Sequence, residues 1–133
     1  WLESESNKIG QVHLPPSLWQ KMKQAACIKI QLPLDSRVKF LLAEYSYLKN
    51  NPVFLKAKLE RLKSRYGKQK LNSWYQLIDS NQWDNFIKDL LFYHYDPTYS
   101  QSMERDFTNL EKILSLPDLS DSSINQALST LIR

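Results

Sequence analysis

The sequence predicts a mainly α-helical fold entered through a short α/β segment, and three observations carry that prediction. Beyond residue 34 the apolar residues recur at three- and four-residue intervals, the period of a helix buried on one face. Two-residue alternation is confined to "CIKIQL", where Ile28 and Ile30 are set against Lys29 and Gln31. The 133 residues are one domain's worth of chain, 42% apolar and 24% charged, which are ordinary globular values.

The elements follow in order. "WLESES" is an apolar pair running into an acidic alternation, the pattern of a buried strand ending near Glu3 with a polar turn at its carboxyl end. In an open parallel sheet that edge collects ligands and catalytic groups, and a strand ending there is expected to begin before residue 1. "PPSLWQKMKQAA" is a proline-led helix with Leu18, Met22 and Ala25 or Ala26 on one face. "CIKIQL" is a strand stopped by Pro33, so residues 1–33 read as strand, helix, strand, and 34–133 as a helical region. In that region Val38, Leu41, Leu42, Tyr45 and Leu48 form a first stripe, with Asp35 or Ser36 as N-cap. Leu55, Leu59, Leu62 and Tyr66 form a second, closed by Gly67. A third buries Trp83, Phe86, Ile87, Leu90 and Leu91. Pro97 disfavours a helical Asp96 and is expected to break the run at "DPTYSQS". A helix over Met103 to Leu116 and a last one capped by Ser120 or Asp121 complete the chain.

Composition removes several classes of chemistry. Gly10 and Gly67 are the only glycines, and neither sits in the GxxxxGK[ST] setting of a phosphate-binding loop. The single cysteine, Cys27, allows no internal disulfide and no multi-cysteine zinc site, and it reads as a small residue entering a strand. Neither histidine, His13 or His94, has metal-ligand spacing to other candidate ligands, and no metal site is expected. No apolar stretch reaches the ~20 residues that span a bilayer, and no secretory signal is visible, so no membrane partner is expected and the cytoplasm is the expected compartment.

The net charge of +4, with a pI near 9.1, is unevenly placed. Lys49, Lys56, Lys58, Arg61, Lys63, Arg65, Lys68 and Lys70 face a single acid, Glu60, within 22 residues. Such a run could follow an RNA phosphate backbone, with Tyr66 and Trp74 stacking on bases, or be a solvated helix face. Glu3 and Glu5, two apart, point to one side of an extended segment, either as acids ordering a metal, a water or a cation beside a phosphate, or as a solvated turn. "FYHYDPTYSQS" gathers His94, Tyr95, Asp96, Tyr99 and Ser102 into a segment that reads equally as a polar binding loop or as a tyrosine-rich helix end on the core.

Three segments together resemble one family. "LESESNKIGQVHLPPSLWQKM", "PLDSRVKFLLAEY" and "LLFYHYDPTYSQSM" are similar, in the same order, to an acid-serine stretch with a following Pro-led helix, a Pro-Leu-acid-x-Arg-Val helix and a His-Tyr-Asp-Pro-x-Tyr element of tRNA 2-selenouridine synthases. The resemblance implies a P-loop NTPase-like α/β fold, of which residues 1–33 end the α/β part. It also implies a full-length enzyme in which a rhodanese-like domain with the catalytic cysteine and a P-loop segment accompany this chain. Cys27 does not match that cysteine. Such enzymes convert wobble-position 2-thiouridine of tRNA to 2-selenouridine using selenophosphate, through a geranylated intermediate. The resemblance therefore implies tRNA as partner and selenophosphate and geranyl diphosphate as substrates; whether nucleotide or magnesium also binds stays open. Glu3, Glu5, Asp96 and Tyr99 become candidate catalytic residues, and Ser4, Ser6, Lys8, Arg37, His94, Tyr95 and Ser102 candidate ligand-binding ones. The basic run supplies the tRNA candidates Lys56, Lys58, Arg61, Lys63, Arg65, Lys68 and Lys70. This chain by itself, without phosphate loop and rhodanese cysteine, is expected to be inactive. Two alternatives compete: a non-catalytic helical RNA-binding module, and the lid of a P-loop nucleotide kinase.

Overall fold

Apolar stripes at helical spacing draw the middle of the chain around one buried tryptophan, in a computed structural model that describes residues 1–4 and 6–132. The order is β1 (Lys8–Ile9), β2 (Val12–His13), α1 (Pro16–Gln24), β3 (Cys27–Gln31), α2 (Leu34–Glu44), α3 (Ser46–Lys49) and α4 (Pro52–Leu59). A 3₁₀ turn (Glu60–Leu62), α5 (Lys63–Asp79), α6 (Trp83–Leu90), a π-helical turn (Leu91–Tyr95), α7 (Asp96–Asp106), β4 (Leu110–Ser115) and α8 (Asp121–Leu131) follow. Trp74, fully buried, is packed with Leu55, Leu59, Leu71, Ile78 and Phe86, supplied by α4, α5 and α6. The mainly helical fold with short strands agrees with the stripes read from the sequence.

Local chemistry accounts for the helix ends. Asn51 Oδ1 accepts from the Phe54 N–H at 3.2 Å and Pro52 occupies the first turn, so α4 starts where an N-cap and a proline coincide. Gly67 lies at φ 80°, ψ 168°, a backbone region reserved for glycine, and kinks α5 where the sequence placed a stop. Ser120 caps α8 as expected by accepting from Ser123 N–H, and Asp118 Oδ1 accepts from the hydroxyls of both serines and from Ser120 N–H. These hydrogen bonds hold the Asp118 carboxyl down at about 2. The cap expected for α2 is not formed by Asp35 or Ser36: α2 starts directly after Pro33, and Ser36 Oγ instead donates to the Pro117 carbonyl at 2.8 Å.

Three further expectations are corrected. Trp1 to Glu3 form no strand; Trp1 and Leu2 are exposed, and a small antiparallel hairpin, β1 with β2, follows instead. A strand requires a partner, and among the described residues the apolar pair has none. The helix expected to reach Leu116 ends at Asp106, and Leu110–Ser115 runs parallel to β3, with Cys27 N–H donating to Asn109 O at 2.8 Å. Pairing across some eighty residues overrides the helix-compatible letters "LEKIL", as sheet context commonly does. Finally, Pro97 does not break the helical run. Asp96 keeps helical angles (φ −63°, ψ −45°), and its N–H reaches the Leu91 carbonyl, five residues back. Widening the turn by one residue accommodates a ring that would clash with the preceding turn of an α-helix.

Candidate functional site

The two sequence segments furthest apart in this region meet through one ion pair. Arg37, projecting from the first turns of α2, donates Nη1 to Asp96 Oδ2 at 3.0 Å and Nη2 to Asp96 Oδ1 at 2.6 Å. A two-pronged guanidinium–carboxylate pair fixes orientation as well as distance. It bolts the start of α7 to α2 and gives each Asp96 carboxylate oxygen a guanidinium partner, which orients the carboxylate.

Around it lies a groove of about 1150 Å³ between α2, α4, α6 and the π-helical turn, with Phe40, Tyr45, Leu91, Tyr95 and Tyr99 among its walls and Arg37, Asp96, Arg61 and His94 among its polar groups. His94, Tyr95 and Tyr99 make a continuous aromatic wall, with centroids 5.2 Å apart between the first two and 6.4 Å between the stacked tyrosines. Tyr66 Oη donates to the Tyr93 carbonyl at 3.0 Å and lies 2.9 Å from His94 Nδ1. Burial, assisted by the positive charge of Arg65, lowers the His94 pKa and favours the neutral ring. Ser102 Oγ donates to the Tyr99 carbonyl at 3.0 Å. Ser4, from the acid-serine segment, reaches α7, where its Oγ lies 3.5 Å from Met103 Sδ.

The remaining candidates are spread out. Glu3 is exposed, and Glu5 lies outside the described residues. Ser6 Oγ accepts from Lys8 N–H at 3.0 Å, and Lys8 lies exposed in β1. In the basic run Lys56 pairs with Asp79 at 2.5 Å, Lys63 with Glu60 at 2.7 Å and Lys70 with Asp89 at 2.5 Å. Lys58 sits over the Phe54 ring and Arg65 over the Tyr66 ring. Among the described residues no acid pairs with Arg61 or Lys68. Trp74 cannot stack on a base: it is fully buried and its indole N–H donates to Asp89 at 3.0 Å. Two partners in this arrangement escaped sequence reading. Tyr66 reads as a stripe member or a base-stacking residue and Asp89 as a solvated acid, since their actual partners are set by helix packing.

A family model described as the tRNA 2-selenouridine synthase AAA domain matches residues 1–115, a span that includes α2, the π-helical turn and the Arg37–Asp96 pair. The chain belongs to that family. It is 27% identical over 123 residues to the tRNA 2-selenouridine synthase of Hydrogenovibrio crunogenus, covering 78% of this chain and 34% of that protein. It is 26% identical over 129 residues to the synthase of Chromohalobacter salexigens, covering 78% of this chain and 36% of that one. The chain thus spans about a third of the length of these curated relatives. No solved structure matches. All three segments that resemble the 2-selenouridine synthases fall inside the matched span, and two of them are the pair of elements that the Arg37–Asp96 bond joins. No helix among the described residues is long and apolar enough to cross a membrane.

Proposed function

We propose that this chain is the C-terminal portion of the P-loop domain of a tRNA 2-selenouridine synthase, and that the Arg37–Asp96 pair and the His94–Tyr95–Tyr99 wall line its substrate groove. The reading rests above all on one observation: the family match spans both segments that the bidentate pair brings together. In this reading residues 1–33 end the α/β part and residues 34–133 form a helical C-terminal region. The full-length enzyme replaces the sulfur of wobble 2-thiouridine with selenium from selenophosphate, by way of an S-geranylated nucleoside made from geranyl diphosphate. Arg37 and Asp96 hold the wall in place, and Tyr95 and Tyr99 offer aromatic surface to an apolar or planar group. Glu3 and Glu5 supply carboxylates from the acid-serine segment. Arg61 and Lys68, with Lys58 and Arg65 beside them, contact tRNA phosphates; Lys56, Lys63 and Lys70 contribute less because acids already neutralise them.

The test uses the full-length protein in the cytoplasmic extract-free system that the reaction needs: purified enzyme, selenophosphate, geranyl diphosphate and tRNA bearing 2-thiouridine. Nucleoside mass spectrometry is expected to show 2-selenouridine accumulating at the expense of 2-thiouridine. Complete retention of 2-thiouridine by folded, tRNA-binding enzyme would overturn the reading in favour of a non-catalytic RNA-binding module.

A further inference from the structure

We infer that Tyr66 is a positioning residue: its hydroxyl fixes His94 as the tautomer protonated at Nδ1, leaving the Nε2 lone pair as the proton acceptor offered to the groove. Pro97 lies four residues after Tyr93. Proline has no N–H, so it cannot satisfy the Tyr93 carbonyl four residues earlier, and Tyr66 Oη reaches across from α5 to donate to that carbonyl at 3.0 Å. A phenol has one proton to give. With that proton committed to Tyr93, the 2.9 Å contact between Tyr66 Oη and His94 Nδ1 is a hydrogen bond only if Nδ1 carries hydrogen and donates to the phenol oxygen.

The surroundings fix the ring in that state. Tyr66 meets His94 edge-on at 5.7 Å, Tyr95 packs against it at 5.2 Å, and Tyr66 is itself held edge-on to the buried Trp74 at 5.6 Å. The contact thus runs from the core to the groove wall without a flexible link. Arg65, the neighbour of Tyr66, places a cation beside the ring and opposes a second proton on it. The π-helical turn brings His94 to this position, and among the described residues no hydrogen bond is made at Nε2. A neutral imidazole with a fixed donor side and an open acceptor side is the form that takes a proton from a bound group. The functional half of the inference rests on the groove being the substrate site of the synthase; the tautomer itself does not.

The experiment compares the full-length enzyme with its Tyr66→Phe variant, which keeps the ring packing and removes only the hydroxyl. Long-range ¹H–¹⁵N correlation of histidine-labelled protein reads the tautomer of His94, assigned with a His94→Gln variant. The parent is expected to show protonated Nδ1 and unprotonated Nε2, and Tyr66→Phe to lose that preference. Conversion of 2-thiouridine tRNA by the variant is expected to fall about a hundredfold in kcat, the low end of what a positioned acid–base group contributes, with KM within about twofold. A parent protonated at Nε2, or an unchanged tautomer in the variant, overturns the inference. A changed tautomer with unchanged kcat overturns the positioning role. Failure of the functional reading would appear separately, as a folded parent enzyme that forms no 2-selenouridine.

Discussion

Arg37 and Asp96 show how far single residues could be read before folding. Both stood out as members of motifs, but their partnership could not be read, because 59 residues separate them and only the docking of α2 beside the π-helical turn brings them together. Tyr66 stood out only as a stripe member or a base-stacking candidate, and its bond to His94 could not be read for the same reason. The pair's side chains remain 34% and 43% exposed, so water screens their attraction to about 0.5–1 kcal/mol of coupling. Arg37→Gln and Asp96→Asn, singly and together, are expected to return that coupling in a double-mutant cycle by urea denaturation; additive effects would mean the pair is not formed in solution. His94 gives a pH-dependent prediction. Its folded-state pKa lies below 6.5, so between those values the unfolded chain binds more protons than the folded one, and stability rises with pH. Tm is therefore expected to fall as pH drops below about 6.5, and His94→Gln to flatten that fall. Tyr75 has the opposite dependence on pH. Burial and its hydrogen bond to Glu60 push its phenol up to about 12, so its contribution holds below pH 10 and is lost as pH rises through 10 towards 12.

Elements were most legible where periodicity is strong and local. The stripes of α4 to α6 name the core that surrounds Trp74, and Gly67 marks the kink. An alanine Cβ at Gly67 would meet nothing within 4 Å, so Gly67→Ala isolates the backbone cost, expected at about 1–3 kcal/mol by chemical denaturation. A neutral result would mean α5 can straighten there. The basic run also belongs to this scale. Its letters gave the charge imbalance, whereas the pairing of Lys56, Lys63 and Lys70 with acids depends on helix packing or on a tight turn. Replacing Arg61 and Lys68 together by Gln in the full-length enzyme is expected to lower the salt slope of tRNA binding by about 1.4–1.8, at 0.7–0.9 per phosphate contact. Replacing Lys56 and Lys63 is expected to change it by less. Equal slopes in parent and Arg61/Lys68 variant would place the tRNA on another surface.

For the whole molecule, the split between helices and strands followed from where a segment finds its partner. β3 announced itself by alternation, but its partner β4 lies beyond the helices and carries a bulge between the Cys27 and Ile28 registers, which blurs its own alternation. The helical turn at Pro97 was misread because a proline rule, valid for an α-helix, does not foresee a π-helical turn that accommodates the ring. The second departure shapes the site, since the widened turn sets His94 and Asp96 on the groove. In the proposed function this wall serves tRNA selenation rather than only the fold. Full-length enzyme carrying Asp96→Asn, assayed for conversion of 2-thiouridine to 2-selenouridine in tRNA alongside its Tm, tests that claim most directly. Turnover is expected at least about tenfold below the parent while Tm falls by no more than about 4 °C. Parent-like turnover, or a loss of activity that follows the loss of folded protein at every temperature, would contradict it.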